Sequence, residues 1–276
     1  MLKISLNNPL PRLALIPLVA LLLLTGGCQR EEPLPDGMVR IPAGPFIFGS
    51  DKEDTEGVTA EYGLTKPLYQ DEHPSHTVTL PTYFIDQYEI TNARYLKFIE
   101  TAGARPPATW VDGKPPVDRD NYPVSGMNWY DADRYCLWEG KRLPTEAEWE
   151  KAARGPDGLE YPWGSEFDPK KANTGGSGVG DLAPAGSFPQ GRSPYGVDDM
   201  AGNLWEWTAD WYQPYPGSSY RSDAFGQTNK VLRGGSWGGA GHYALNYFYR
   251  TSYRLPSAPE FGFPDAGFRC VKSARR

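Results

Sequence analysis

The residues of this chain with the greatest capacity for chemistry are its three cysteines, Cys28, Cys136 and Cys270. Cys28 ends an apolar run near the N-terminus and has the position of a lipid attachment site, which would place the protein outside the cytosol. In an oxidising compartment the other two cysteines can pair. Any function of this chain must then work without a free thiol.

The N-terminus predicts export. Lys3 and Arg12 form a basic start, and residues 13–24 (LALIPLVALLLL) are apolar over about a dozen positions. This run is shorter than the roughly 20 residues that span a membrane. Cys28 directly after two glycines resembles a bacterial lipobox, although Leu24 lies one position further from the cysteine than usual. Ordinary secretion with an incidental cysteine is the alternative.

These features divide the chain into three parts. Residues 1–27 are predicted to be a lipoprotein signal peptide, 28–37 a polar and proline-rich tether, and 38–276 the folded domain. Gln29 follows the cysteine, and the absence of Asp at this position resembles lipoproteins sorted to the outer membrane. We therefore expect a periplasm-facing envelope protein that meets the membrane through its lipid anchor.

The composition limits the class of protein. Roughly 235 residues remain after the tether, which suits one large domain or two small ones. With 31 Gly, 27 Pro, 9 Trp and 17 Tyr, the chain should be rich in turns and aromatic packing, poor in long helices, and ordered. The net charge of -6 and the lack of Lys/Arg clusters argue against nucleic-acid binding.

The elements that could position functional residues lie mostly in the first half. Strands are predicted within residues 38–49, 76–80 and 83–90. Helices are predicted from Thr91 to Gly103, over residues 129–138, and from Thr145 to Gly155. The third helix begins with a capping box, in which Glu148 follows Thr145 by three residues. After Gly155 no periodic segment is long enough to assign, so aromatic packing, metal ions and a disulfide are the expected sources of order.

Four segments carry a specific resemblance: residues 140–150 (GKRLPTEAEWE), 202–207 (GNLWEW), 233–237 (RGGSW) and 267–270 (GFRC). Their order and spacing resemble the formylglycine-generating enzyme (sulfatase-modifying factor) family. Residues 38–44 and 88–92 also resemble its opening segments, so the likeness covers about 38–272. It implies an α+β fold of the C-type-lectin-like group, with little regular secondary structure and bound calcium.

The resemblance also identifies what is missing. Enzymes of this family oxidise a substrate cysteine with O2 and copper held by two cysteine thiolates. The matching positions here are Gly239 and Ala244. Cu(I) selects soft thiolate ligands, and neither residue supplies one. We therefore expect no copper and no formylglycine generation.

Cys136 and Cys270 match a different pair, the family's structural disulfide. The bond would close a loop of more than 100 residues, for which the chain-entropy model gives a stabilisation of about 5 kcal/mol. Two buried free thiols are the alternative.

The resemblance implies a calcium site in residues 199–206 (DMAGNLWE). Its ligands would be the side chains of Asp199 and Glu206 and the carbonyl oxygens of Gly202 and Leu204. Oxygen donors in an irregular loop are what calcium prefers. The alternative is a capped aromatic turn in which Glu206 forms a salt bridge.

A second family calcium site would use the side chain of Asn173 and the carbonyl of Thr174. Its remaining ligands come from a segment that is shortened here to residues 175–181. Ser177 aligns where a carboxylate is usual, and Asp181 is the candidate substitute.

Some pocket residues of the family are retained. Ser236 matches the serine beside the metal and oxygen pocket, and Trp205 matches a pocket wall. His242 could ligate a metal, although a surface or core histidine is the simpler interpretation. The aromatic and arginine residues of 249–254 (YRTSYR) suit either a groove wall or core stacking.

Two functions fit these observations. The first is a lipid-anchored binding or assembly module of the cell envelope, whose groove takes a protein segment, glycan or small molecule. The second is a periplasmic enzyme with altered oxidative chemistry on a small molecule, or an accessory maturation factor for a redox enzyme or siderophore. In the second, Glu260 or His242 would act as a base.

Overall fold

The computed structural model describes residues 1–2, 32–238 and 245–275. Within these ranges no helix is both long and apolar enough to cross a membrane. Cys28, Gly239, His242 and Ala244, on which several predictions rest, lie outside the described residues, as does most of the predicted signal peptide.

The helices form where their capping residues predict. The described residues contain the α-helices α1 (Val58–Glu61), α2 (Asn92–Ala102), α3 (Trp129–Trp138) and α4 (Glu146–Arg154). Thr91 caps α2, since its hydroxyl accepts a hydrogen bond from the Arg94 N–H, and Gly103 ends the helix with φ 62. Asn128 caps α3 in the same way. The three longer helices confirm the sequence-based assignments.

The capping box of α4 is present. The Thr145 hydroxyl accepts a hydrogen bond from the Glu148 N–H, and the Glu148 carboxylate accepts one from the Thr145 N–H. Arg142 then binds both Glu148 oxygens at 2.6 Å. The start of α4 is thus tied to the chain that leads into it.

The strands are short. The described residues contain β1 (Met38–Ile41), β2 (Gly44–Phe48), β3 (His76–Leu80), β4 (Tyr83–Asp86), β5 (Trp205–Trp211), β6 (Lys230–Arg233), β7 (Leu255–Ser257), β8 (Ala266–Gly267) and β9 (Val271–Ser273). They form a three-stranded sheet in the order β1-β4-β9, a hairpin β2-β3, and a four-stranded sheet in the order β7-β6-β5-β8. Among the strands of the described residues, only the β5–β8 pairing is parallel. Short 3-10 turns occur at Gln70–Glu72, Pro189–Gly191 and Asn246–Tyr249.

The second half holds more regular structure than expected. Strand β5 is seven residues long (WEWTADW). Its sequence does not predict it, because its first four residues are buried and its last three are half-buried, without alternation. The predicted strand over residues 83–90 is also too long, since β4 ends at Asp86. The Asp86 carboxylate accepts hydrogen bonds from the Cys270 N–H and from Lys141, which holds the chain at this point.

The largest core is aromatic and is closed by the predicted disulfide. Tyr95 of α2 stacks on Tyr135 of α3 with 5.5 Å between ring centroids, and Phe268 packs against both rings. Cys136 and Cys270 are bonded, with 5.6 Å between their Cα atoms. Both are fully buried. The disulfide therefore joins α3 to the chain that enters β9.

Buried arginines are a source of order that the sequence analysis did not name. Arg250 binds both carboxylate oxygens of Glu72 at 2.7 and 2.5 Å. Arg254 binds both oxygens of Glu146 at 2.6 and 2.9 Å. These two arginines are about 1% exposed. Because a buried charge is stable only when paired, these contacts fix the loops that carry them.

Candidate calcium site and adjoining pocket

The loop before β5 is tightly coiled. Asp199 (φ 56) and Asn203 (φ 65) have left-handed backbone conformations, which Asp and Asn tolerate better than most residues. At Gly202 (φ 77) a Cβ atom would overlap the carbonyl oxygen of Asn173, so the position requires glycine. The Asn203 N–H donates to that same Asn173 oxygen at 2.7 Å. The two predicted calcium loops are therefore in direct contact.

Glu206, the predicted ligand at the start of β5, is bound by a buried arginine. Arg269 Nε and Nη2 donate to the two Glu206 oxygens, each at 2.7 Å, and Trp149 Nε1 donates at 3.0 Å. The salt bridge that the sequence left open as an alternative is thus present. A carboxylate has about four lone-pair sites, so three donors do not exhaust its capacity to accept.

The other three predicted ligands keep oxygens available. Asp199 is 7% exposed, and one of its oxygens accepts a hydrogen bond from the Gly186 N–H at 2.6 Å. Burial raises the pKa of the Asp199 carboxyl to about 6. None of the hydrogen bonds among the described residues ends on the carbonyl oxygen of Gly202 or Leu204. The loop therefore offers carboxylate and carbonyl oxygens together.

Glu89 belongs to this cluster and was not predicted as part of the site. It is fully buried, and its Oε1 accepts a hydrogen bond from Asn203 Nδ2 at 3.1 Å, whereas its Oε2 has no partner among the described residues. Burial, reinforced by the nearby Asp199 carboxylate, raises the pKa of Glu89 well above its usual value. The sequence places Glu89 in a family-like segment, but nothing in that segment indicates its proximity to a loop 110 positions later.

The charges of the cluster fit a divalent cation. Glu89, Asp199 and Glu206 are all more than nine-tenths buried and share the single guanidinium of Arg269. If all three carboxylates are ionised, two negative charges lack a counter-charge, which is costly in a buried site. All the candidate ligands are oxygens, which calcium prefers. None is a soft sulfur ligand of the kind that Cu(I) prefers. In the described parts of the chain no three His, Cys, Asp or Glu side chains lie close enough to hold a metal by themselves, so backbone carbonyls would have to complete the shell.

The second predicted set has a different environment. The side-chain oxygen of Asn173 and the carbonyl oxygen of Thr174 both accept hydrogen bonds from the Ser177 hydroxyl. The Asp181 carboxylate, the candidate substitute ligand, binds Arg119 at 2.6 Å.

A small cavity lies beside Trp205. It has a volume of about 170 Å³ and is lined by residues from four segments, namely Gly63, Leu64, Thr65, Lys66, Trp205, Phe248, Tyr253 and Leu255. Lys66 is not free, since its ammonium group binds Asp71 at 2.7 Å. The walls are otherwise mostly apolar.

Ser236 is linked to Trp205, a wall residue of this cavity, through Asp265. Its hydroxyl donates to Asp265 Oδ2 at 2.7 Å, and the Trp205 N–H donates to the Asp265 carbonyl at 3.0 Å. The structure thus joins Ser236 and Trp205 through Asp265. Glu260, a candidate base, lines a separate cavity.

Residues 249–254 are mostly buried in the core. Tyr249, Arg250 and Arg254 are at most 1% exposed, and both arginines are paired with buried glutamates. Tyr253 alone reaches the cavity, where its ring lies 5.9 Å from that of Trp205.

Comparison with known proteins identifies the family of this chain. The sulfatase-modifying factor enzyme 1-like domain family matches residues 27–274. The chain is 30% identical to the inactive C-alpha-formylglycine-generating enzyme 2 of Mus musculus, over 95% of both chains. It is 32% identical to the formylglycine-generating enzyme of Thermomonospora curvata, over 88% of this chain and 95% of the relative.

A solved structure gives the same result for the fold. PvdO from Pseudomonas aeruginosa is similar with a TM-score of 0.64 and 27% identity, over 86% of this chain and 94% of PvdO. The predicted α+β fold of the formylglycine-generating enzyme type, with little regular secondary structure, is confirmed. The chain belongs to the sulfatase-modifying factor enzyme 1-like, or formylglycine-generating enzyme, family.

Proposed function

We propose that this protein is an exported, lipid-anchored member of its family that does not generate formylglycine and acts as a binding or assembly module in the cell envelope. The observation that carries the proposal is the Cys136–Cys270 disulfide. The chain has three cysteines, and this bond uses two of them. A copper centre with two thiolates cannot be built from Cys28 alone.

The cavity beside Trp205 supports binding of a protein segment. Its volume of about 170 Å³ is below the range of about 300–1,000 Å³ that is usual for small-molecule sites. The apolar walls formed by Leu64, Phe248 and Leu255 suit one apolar side chain of a partner. The similarity to a relative named as inactive also fits a role without the family's chemistry.

The alternative is an enzyme with altered chemistry on a small molecule, or a maturation factor for a redox enzyme or siderophore. The hydrogen bond between Ser236 and Asp265 favours it, because a carboxylate that accepts from a hydroxyl can also accept its proton. Copper or iron bound in stoichiometric amount would support this alternative over the binding module.

We also propose that calcium stabilises the fold at the cluster of Glu89, Asp199 and Glu206. The support is the set of three buried carboxyl groups that share one arginine, together with the carbonyl oxygens of Gly202 and Leu204, which accept no hydrogen bond from the described residues. In this role calcium orders the loop that enters β5, and thereby the wall of the cavity at Trp205.

Copper binding tests the loss of the family chemistry. We expect the wild-type protein to bind no Cu(I) and to leave a cysteine-containing peptide unmodified in the presence of O2, as measured by metal analysis and peptide mass spectrometry. The double variant Gly239→Cys/Ala244→Cys restores both thiolates and should bind about one Cu(I). Aldehyde formation by the wild type would overturn the proposal.

Lipid attachment tests the location. In a bacterial host the wild-type protein should incorporate labelled fatty acid and fractionate with membranes. Cys28→Ser removes the only thiol available for acylation, so this variant should carry no label and appear in the soluble fraction. Cys28→Ser protein that still carries the label would contradict a lipid anchor at this residue.

Photocrosslinking in cells tests the binding surface. A benzophenone amino acid at Leu64, in the cavity wall, should give a discrete adduct. The same substitution at Leu137, an exposed leucine of α3, should not. Tyr253→Trp adds bulk to the cavity and should weaken the Leu64 adduct. Equal adducts from both positions, or none from either, would count against a partner at this cavity.

Thermal unfolding tests the calcium site. Calcium at a hundred times its Kd should stabilise the protein by about 2.7 kcal/mol. For a domain of this size that is a rise in Tm of about 5–10 °C, reversed by a chelator. Asp199→Ala should abolish the calcium-dependent shift, whereas Asp157→Ala, at an exposed acidic residue, should retain it. A wild-type Tm that is the same with calcium and with chelator would exclude the site.

A further inference from the structure

Ser177 occupies the centre of the loop that resembles the second calcium site. Its hydroxyl lies 2.8 Å from the carbonyl oxygen of Thr174 and 3.2 Å from Oδ1 of Asn173, and donates to both. These two oxygens are the ligands that the family resemblance assigns to the ion. A single hydroxyl proton therefore links the oxygens that a cation would otherwise hold together.

The side chain of Asn173 has a fixed orientation. Its Nδ2 donates to the Asp181 carbonyl at 2.9 Å and to Asn203 Oδ1 at 3.0 Å. Both amide protons are thus used, and turning the amide over would break both bonds. Oδ1 must then face Ser177. Because Asn173 is 1% exposed, these contacts are made away from bulk water, where a lost hydrogen bond is costly.

The one carboxylate of the loop points elsewhere. Asp181 Oδ2 binds Arg119 at 2.6 Å, and Oδ1 accepts from the Leu182 N–H at 2.7 Å. The hydrogen bond from Arg119 holds the pKa of the Asp181 carboxyl below its usual value. No carboxylate among the described residues forms a hydrogen bond with Asn173 or Thr174. A calcium ion here would find neutral oxygens that are already occupied, whereas calcium sites normally include carboxylates.

We infer that the Ser177 hydroxyl replaces a calcium ion in this loop, so that the chain has one calcium-binding loop and one hydrogen-bonded loop that needs no metal. This goes beyond the proposed function, because it assigns opposite metal dependence to two loops in contact. The neutral set around Ser177 adds no charge that would require a cation. The cluster at Asp199, by contrast, has three buried carboxyl groups that share one arginine.

The first measurement uses the unchanged Ser177 loop. In an Asp199→Ala background, which removes the proposed calcium site, equilibrium dialysis with metal analysis should find no calcium bound. If Asp199→Ala does not fold, Asp199→Gly takes its place, because glycine tolerates the left-handed backbone at this position (φ 56) and supplies no side-chain ligand. One equivalent of bound calcium that persists in this background and is lost on Asn173→Ala would overturn the inference.

The second measurement restores a carboxylate. Ser177→Asp in the same background should gain one calcium per chain and a chelator-sensitive rise in Tm. Ser177→Ala, the matched control, should gain neither. A folded Ser177→Asp protein that binds no calcium would show that Ser177 is not what excludes the ion. The gain is measured relative to the same background, so it is independent of whether Asp199 binds calcium.

Discussion

The ion pair between Arg269 and Glu206 is the contact on which the site depends. Beyond the two bonds to Glu206, Arg269 donates to the backbone carbonyls of Asp86, Gln87 and Asp198. Asp86 and Gln87 lie at the end of β4, and Asp198 lies eight positions before Glu206, so Arg269 joins two segments that are far apart in sequence. Arginine stays charged in proteins, so loss of the Glu206 carboxylate would leave a buried charge unpaired, at about 3–5 kcal/mol. The pair therefore constrains where the loop before β5 can lie.

Other buried arginines also bind a carboxylate together with backbone carbonyls of loops. This explains how a chain with so little regular structure has a defined fold. Loop carbonyls need donors when they are buried. A guanidinium has five donors, so it can bind a carboxylate and loop carbonyls at once. Arg233 binds Glu150 and the carbonyls of Thr251 and Tyr253, the latter two at 3.0 and 2.7 Å. Buried arginines here satisfy backbone groups that a sheet or helix would satisfy in a more regular protein.

The two calcium-like loops differ in how they balance charge, although they are linked. Asn203 lies between them: its Nδ2 donates to Glu89, and its Oδ1 accepts from Asn173. On one side of Asn203 are buried carboxylates with one arginine, and on the other are neutral amide, hydroxyl and carbonyl groups. The two sides therefore differ in the number of ionisable groups that they bury.

The sequence by itself determined the features that depend on local pattern or on family-like segments. Caps at Thr91 and Thr145 set the helix starts, since a cap acts on the next three residues. The family-like segments identified the fold and the cysteine pair, and the absence of thiols at Gly239 and Ala244 is a fact of sequence alone. Strand β5 escaped prediction because a strand buried along most of its length does not alternate.

Only the tertiary structure decided which distant groups meet. Glu89 joins a loop that begins 110 positions later, Arg269 selects Glu206 from many carboxylates, and Asn173 donates to the side chain of Asn203, 30 positions further on. The physical reason is common to all three. The hydrogen bonds and the ionisation of a buried polar group depend on the partners that fold around it and on the water that they exclude. Neither can be read from its immediate neighbours along the chain.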